Sequence, residues 1–151
     1  MANYCYRKLF YQCGQLVSAP ELPSPNLTDW CYSSMFHSSA IMSAPRLPAT
    51  TLALRCYSGM FTNCKALTSA PELPATTLAV NCYEQMFSYC DFLTTAPALP
   101  ATTLADHCYY RMFYACASLV AIPALPALVV SENQCYREMF GNCASVKLSE
   151  T

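Results

Sequence analysis

The stretch CYEQMFSYC, residues 82–90, is one of six versions of a single motif in this chain of 151 residues. The other five versions are CYRKLFYQC (5–13), CYSSMFHSS (31–39), CYSGMFTNC (56–64), CYYRMFYAC (108–116) and CYREMFGNC (135–143). Their first cysteines lie 26, 25, 26, 26 and 27 residues apart. A fixed period of this size is typical of solenoids, in which each repeat is one supersecondary unit. The sequence therefore predicts a single solenoid over residues 1–151, with about six repeats, incomplete first and last copies, and no obvious caps.

Composition limits the kinds of partner that the chain can bind. Only 11% of the residues are charged and the net charge is −1. The chain therefore has no electrostatic basis for binding nucleic acid or an anionic membrane. No apolar run approaches the ~20 residues that a membrane-spanning helix needs. The opening MANYCYRKLFYQC lacks the apolar core of a signal peptide, so the chain either functions where it is made or begins inside a longer precursor.

Each repeat divides into two halves, and residues 67–92 preserve both best. In the second half, at about 100° per residue, the apolar positions occupy one arc of a helix, with Tyr83 near its middle. This half predicts a helix of roughly 10 to 13 residues, and the preceding Thr-Thr pair can supply its N-cap oxygen. The first half contains two prolines, which exclude a helix and predict a strand of about three or four residues.

A strand followed by a helix in every repeat predicts an α/β fold. We expect a curved, leucine-rich-repeat-like solenoid with short parallel strands on the concave face and one short helix per repeat on the convex face. Strands in a sheet lie about 4.8 Å apart, whereas packed helices need about 8–10 Å. Because the two faces have different spacings, the stack is expected to curve.

The segment MFTNCKALTSAPELPATTLA, residues 60–79, resembles the BspA-like (Treponema pallidum type) leucine-rich repeat. The shared pattern is Phe-x-x-Cys-x-x-Leu followed by Leu-Pro, and it covers nearly the whole chain. The unit here is about three residues longer, and alanine replaces the usual isoleucine before the proline. The resemblance implies a bacterial protein at the cell surface or in the extracellular space, often one that adheres to host proteins. It implies no catalytic residue.

The eleven cysteines are predicted to be buried free thiols. On a helix, Cys82 and Cys90 would lie about 12 Å apart, whereas a disulfide needs Cα atoms within about 7 Å. Equivalent cysteines on helices about 8–10 Å apart would also be too distant. The chain contains no Cys-x-x-Cys zinc motif, and Ser39 replaces one cysteine of the array. We therefore expect no disulfide, no metal and no other cofactor.

Tyrosines fall into two groups on the predicted helices. The tyrosine that follows each first cysteine is expected in the core. A second group lies on the polar arc and is predicted to be exposed, either as partner contacts or as scattered surface aromatics: Tyr11, Tyr89, Tyr110 and Tyr114. Thr68 and Thr94 on the strand face are further candidate contacts. His37 and His107 lie at different positions of the repeat unit, and neither has the serine or carboxylate spacing of a catalytic triad. The three glycines form no phosphate-binding loop, so an enzyme is not expected.

Two functions remain open from the sequence. The first is a non-catalytic scaffold that binds a protein or glycan on another cell. The second is a structural subunit that binds copies of itself end to end in a filament. Candidate end contacts are Tyr4 and Leu9 at one end and Val146 and Leu148 at the other. Alternatively, the chain is part of a longer array whose neighbouring repeats cover both ends.

Overall fold

A computed structural model describes residues 1–127 and 133–147 of the chain. Within these residues there is no helix, and the β-structure consists only of isolated parallel bridges. Each copy of the motif instead forms a continuous run of tight turns, here called a turn segment. The six turn segments span residues 3–12, 29–38, 54–63, 80–89, 106–115 and 133–142. The prediction of an α/β solenoid with a helix in every repeat is therefore wrong.

Hydrogen bonding explains why the motif is not helical. In the fourth turn segment the amide of Glu84 donates to the carbonyl of Asn81, three residues earlier, at 3.2 Å. The next amide, of Gln85, donates instead to the carbonyl of Tyr110 in the following repeat, at 2.9 Å. This alternation continues along the segment, so every second amide joins two repeats. An α-helix would direct these amides to carbonyls four residues earlier in the same segment.

Left-handed backbone conformations close the turns. Three residues in each turn segment, four positions apart, have φ between 51° and 62°. In the fourth segment they are Asn81, Gln85 and Tyr89. All eighteen such positions but Gly59 carry a side chain, and an L-residue in this region costs about 1–2 kcal/mol. The bonds between repeats and the burial of the apolar side chains must offset this cost.

The motif itself is compatible with both backbones. Buried side chains recur every four residues in the pairs Cys82-Tyr83 and Met86-Phe87, followed by Cys90. A helix of 3.6 residues per turn departs from this spacing by only about 40° per four residues. Over nine residues the helix and the four-residue turns therefore bury the same positions. Local periodicity alone could not distinguish them.

Successive repeats stack in parallel and in register. In the proline-containing halves, Ser43 forms bridges with both Ser18 and Ser69, and Thr77 forms bridges with both Thr51 and Thr103. The turn segments also bond directly to their neighbours, at 2.7–3.1 Å. Both halves of the repeat therefore have strand-like spacing. The spacing mismatch that predicted curvature is absent from the described residues.

The core lies between the two halves of the repeats and contains two aromatic ladders. Phenylalanine rings stack at centroid distances of 5.5–5.6 Å, and tyrosine rings at 5.5–6.0 Å. The proline-containing halves add buried leucines such as Leu67 and Leu93. The predicted burial of the motif's tyrosine, methionine and phenylalanine is confirmed in the inner repeats. Among the buried side-chain polar atoms of the described residues, the Tyr57 hydroxyl has no hydrogen-bond partner.

Ala115→Gly tests the left-handed turns. Ala115 has φ of 57°, so removing its Cβ relieves the left-handed strain and is expected to stabilise the protein by up to about 1 kcal/mol. In a helix the same change would cost about 1 kcal/mol. The control is Ala117→Gly, at a residue without a positive φ, which should destabilise by about 0.5–1 kcal/mol. Urea unfolding measures both. Destabilisation of Ala115→Gly equal to that of the control would contradict the turn assignment.

Phe87→Ala tests the phenylalanine ladder. Phe87 is fully buried and stacks on Phe61 at 5.6 Å and on Phe113 at 5.5 Å. Removing the ring should cost about 3–5 kcal/mol, because a cavity opens inside a continuous stack. Thermal unfolding of the variant measures the loss. Phe92→Ala, at a ring that is 63% exposed, serves as the control and should unfold close to the unmodified chain.

Candidate functional site

The described residues hold no group of three or more His, Cys, Asp or Glu side chains that could bind a metal ion. The described part of the chain contains no helix that is long and apolar enough to cross a membrane. On the turn segments, the exposed and half-buried side chains between the buried pairs form columns along the stack, as Arg111 and Glu138 do.

Aromatic and arginine side chains from repeats four to six form one continuous surface cluster. We call it the tyrosine–arginine cluster; it comprises Tyr89, Tyr110, Arg111, Tyr114 and Arg137. The rings of Tyr89 and Tyr114 meet edge to face at 5.7 Å. The Arg111 guanidinium lies 5.2 Å from the Tyr110 ring and 5.0 Å from the Tyr114 ring. Arg137 approaches the Tyr110 ring from the next repeat at 6.0 Å.

Glu138 fixes the geometry and charge of the cluster. One of its carboxylate oxygens accepts hydrogen bonds from Nε and Nη2 of Arg111 at 2.9 and 2.7 Å. Its other oxygen lies 3.4 Å from Nε of Arg137. Two arginines and one glutamate leave the cluster with a single excess positive charge. The Tyr114 hydroxyl is also held, because it accepts a hydrogen bond from Asn142 at 2.7 Å.

The four candidate tyrosines do not share one surface. Tyr89, Tyr110 and Tyr114 belong to the cluster, whereas Tyr11 lies on the first repeat. The Tyr11 ring stacks on His37 at 4.8 Å, with the Lys8 ammonium 5.0 Å from its centroid. Tyr110 and Tyr114 are half-buried, so the prediction that all four are exposed is wrong for these two. Their rings are covered by the arginines of the cluster.

Thr68 and Thr94 are both exposed on the proline-containing halves. The Thr68 hydroxyl donates to the carbonyl of Met42 at 3.4 Å, and the Thr94 carbonyl accepts from the amide of Val120 at 3.2 Å. Among the described residues, neither threonine has a ring or hydrogen-bond contact with a candidate tyrosine. Thr68 and Thr94 therefore belong to the bonding between repeats rather than to the tyrosine–arginine cluster.

Sequence reasoning overlooked the only tryptophan. Trp30 lies between two guanidinium groups, that of Arg7 at 5.0 Å and that of Arg55 at 4.8 Å from its ring. Tyr4 stacks on the same ring at 5.8 Å, and Arg55 forms an ion pair with Glu84 at 2.9 Å. The signal was present, because Tyr4, Trp30 and Arg55 all immediately precede a motif cysteine. These equivalent positions come into contact only because successive repeats stack in parallel and in register.

The candidate end contacts differ in exposure. Tyr4 is 52% exposed and Leu9 is 53% exposed on the first turn segment. Val146 is half-buried and packs against the core. Leu148 lies outside the described residues.

The cysteines pack in the core as thiols. Eight are buried, whereas Cys13 and Cys143 are half-buried and Cys5 is exposed, so the prediction of burial is wrong for these three, which belong to the first and last repeats. The second cysteine of the inner repeats donates to a phenylalanine carbonyl of the preceding repeat, at 3.0 Å for Cys64 to Phe36. The helical distance argument against disulfides is wrong, because strand-like spacing brings equivalent cysteines within disulfide reach.

Comparisons of the chain with protein-family models, with curated proteins and with solved structures found no match.

Burial of the thiols predicts alkaline unfolding. Desolvation raises the pKa of Cys56 from 9.0 to about 12, and that of Cys116 to about 12. Below pH 9 both the folded and the unfolded chain keep these protons, so the stabilisation is complete. Above pH 9 the unfolded chain loses them first. The free energy of unfolding should then fall by about 1.4 kcal/mol per pH unit for each such thiol, until the folded pKa is passed.

Urea unfolding at pH 8, 9, 10 and 11 measures this fall. Cys56→Ala removes one titrating thiol, so its slope above pH 9 should be shallower by about 1.4 kcal/mol per pH unit. Met42→Ala, at an exposed side chain without an ionisable group, is the control and should keep the slope of the unmodified chain. Stability that stays constant from pH 8 to pH 11 would contradict the burial of the thiols.

Proposed function

We propose that this protein is a non-catalytic repeat scaffold whose tyrosine–arginine cluster binds a protein or a glycan on another cell. The observation that carries the proposal is the contact between Tyr89, which is 47% exposed, and the ring of Tyr114, itself covered by Arg111. Tyrosine and arginine, together with tryptophan, are enriched among the energetically dominant residues of interfaces. Three tyrosines and two arginines from three adjacent repeats concentrate them in one place.

The cluster is held in position before a partner arrives. Glu138 bonds Arg111 through two nitrogens, and Asn142 bonds the Tyr114 hydroxyl. The backbone beneath is fixed as well, because the Tyr89 amide donates to the Tyr114 carbonyl at 2.8 Å. Side chains that are already ordered lose little conformational entropy on binding. This preorganisation supports a binding role over that of a mobile surface patch.

The chemistry of the cluster indicates its kind of partner. Aromatic edges and faces suit the apolar side chains of a protein or the apolar face of a sugar ring. The excess positive charge, contributed by Arg137, favours an acidic group beside that apolar contact. We expect a partner with both features, and nucleic acid is not expected because the chain has a net charge of −1.

The resemblance of residues 60–79 to the BspA-like repeat supports the same proposal. The family implies adhesion to host proteins and a place at the cell surface or outside the cell. We extend only this adhesive role to the chain, because the helix expected in each repeat is absent from the described residues. The alternative role, end-to-end assembly, concerns different residues.

The double variant Tyr89→Ser/Tyr110→Ser tests the cluster. It removes two rings from one face, and retention on a glycan array or on immobilised extracellular-matrix proteins should fall at least about tenfold, or about 1.4 kcal/mol. The Tyr89 change alone should alter stability by less than about 0.5 kcal/mol, because that ring is exposed. The matched control is Met42→Ser, which removes a side chain 58% exposed outside the cluster. Binding that the double variant retains in full, or the absence of binding to either panel, would contradict the proposal.

A further inference from the structure

The two outer edges of the stack carry complementary rows of backbone groups. We propose that a second copy of this chain stacks head to tail on the first, so that the last turn segment of one copy bonds to the first turn segment of the next. The contact would reproduce the one that joins successive repeats within the chain. The inference concerns the 151-residue chain and does not depend on the function of the tyrosine–arginine cluster.

The first turn segment provides the acceptor row. The carbonyls of Cys5, Arg7 and Leu9 accept no hydrogen bond from any described residue. Their equivalents one repeat later are all used. The carbonyls of Cys31 and Met35 accept amides of the first repeat at 2.9 Å, and that of Ser33 does so at 3.0 Å. Three acceptors with the spacing of a repeat interface are therefore available at this edge.

The last turn segment provides the matching donor row. The amides of Tyr136, Glu138 and Phe140 donate to no described residue. One repeat earlier, the equivalent amides of Tyr109, Arg111 and Phe113 donate across the interface at 2.9–3.0 Å. In the proposed stack Tyr136 would donate to Cys5 of the next copy, Glu138 to Arg7 and Phe140 to Leu9. This is the register of every interface inside the chain.

The proline-containing halves fix the same direction. There the amide of each repeat donates to the preceding repeat, as Met42 does to Val17 at 3.1 Å and Lys147 does to Val120 at 3.3 Å. Among the described residues, the Val17 amide and the Lys147 carbonyl remain unused and occupy equivalent positions. Two identical edges would instead place like groups opposite each other, with acceptors facing acceptors at two first turn segments and donors facing donors at two last ones. The contact is therefore heterologous, and it extends in a series rather than closing as a two-fold dimer.

Apolar side chains at the first edge are uncovered. Tyr6 is 42% exposed, whereas Tyr83 in the same ladder is 1% exposed. Beside it lies an open pocket of about 410 Å³ whose lining includes Leu9, Phe10 and Leu22. In the proposed stack the ring of Tyr136 would lie on Tyr6, and that of Phe140 on Phe10. Both aromatic ladders would then continue from one copy into the next.

One column of charged side chains would continue across the proposed contact. Arg111 pairs with Glu138 at 2.7 Å from the equivalent position of the adjacent repeat. The next position in that column, on the second copy, is Lys8, whose charge is opposite to that of Glu138. In the neighbouring column Arg137 would face Arg7. The repulsion between these two arginines would largely offset the attraction between Lys8 and Glu138. Hydrogen bonds and ring stacking therefore supply the affinity, whereas the Lys8–Glu138 contact offers a way to perturb it.

Sedimentation velocity over a concentration series tests the proposal. The mass of the unmodified chain should rise continuously beyond a dimer. Lys8→Glu opposes two carboxylates and should raise the concentration for half-assembly roughly three- to tenfold. Adding Glu138→Lys restores opposite charges and should reverse that shift, although it removes the Arg111 pair. The matched control Gln85→Glu, at the same position of an inner repeat, should assemble like the unmodified chain.

A mass that stays that of a monomer up to millimolar concentration would overturn the proposal, as would assembly that stops at a dimer. Unaltered assembly of Lys8→Glu, or failure of the double charge exchange to restore it, would overturn it as well. Glu138→Lys alone opposes two cations and supplies a second test if Lys8→Glu does not fold. Tyr89→Ser should leave assembly unchanged whether or not the cluster binds a partner, which separates the two proposals.

Discussion

The hydrogen bond between every second amide of a turn segment and a carbonyl of the next repeat is the interaction on which the structure depends. It holds neighbouring turn segments at strand-like spacing, and the intervening amides close four-residue turns within each segment. Without the next repeat, half of the amides would lose their protein partners, and the left-handed residues would retain their cost uncompensated. A single repeat is therefore not expected to be stable in this backbone conformation, whereas a stack of repeats stabilises it.

The spacing set by these bonds also organises the side chains. Equivalent phenylalanines and tyrosines stack because their backbones are held in register, and the thiols fill the space beside them. The same register creates the surface contacts. Arg111 reaches Glu138 across one repeat, and Trp30 lies between arginines of the repeats before and after it. The fold thus converts residues 25 to 27 positions apart into direct neighbours.

The candidate site shows how far sequence reasoning could reach. Tyr89, Tyr110 and Tyr114 were identified from their polar phase, and they lie in one cluster. Arg111, Glu138 and Trp30 were missed, because their importance arises from contacts between adjacent repeats. Tyr89 and Tyr114 occupy different positions of their motifs, so their contact runs diagonally across the repeat boundary. The predicted helices did not anticipate this contact, because they place the backbones of neighbouring repeats about 8–10 Å apart instead of at strand-like spacing.

The sequence by itself determined the period, the two halves of each repeat and the buried positions within the motif. Cys82, Tyr83, Met86 and Phe87 are buried as their spacing requires, because apolar pairs every four residues must face one side in either backbone. Only the tertiary structure decided between a helix and a series of turns. The two backbones differ in the carbonyl to which every second amide donates. In a helix that carbonyl lies in the same segment, whereas in the stack it lies in a repeat about 26 residues away. Such a partner carbonyl comes within reach only when the repeats are stacked.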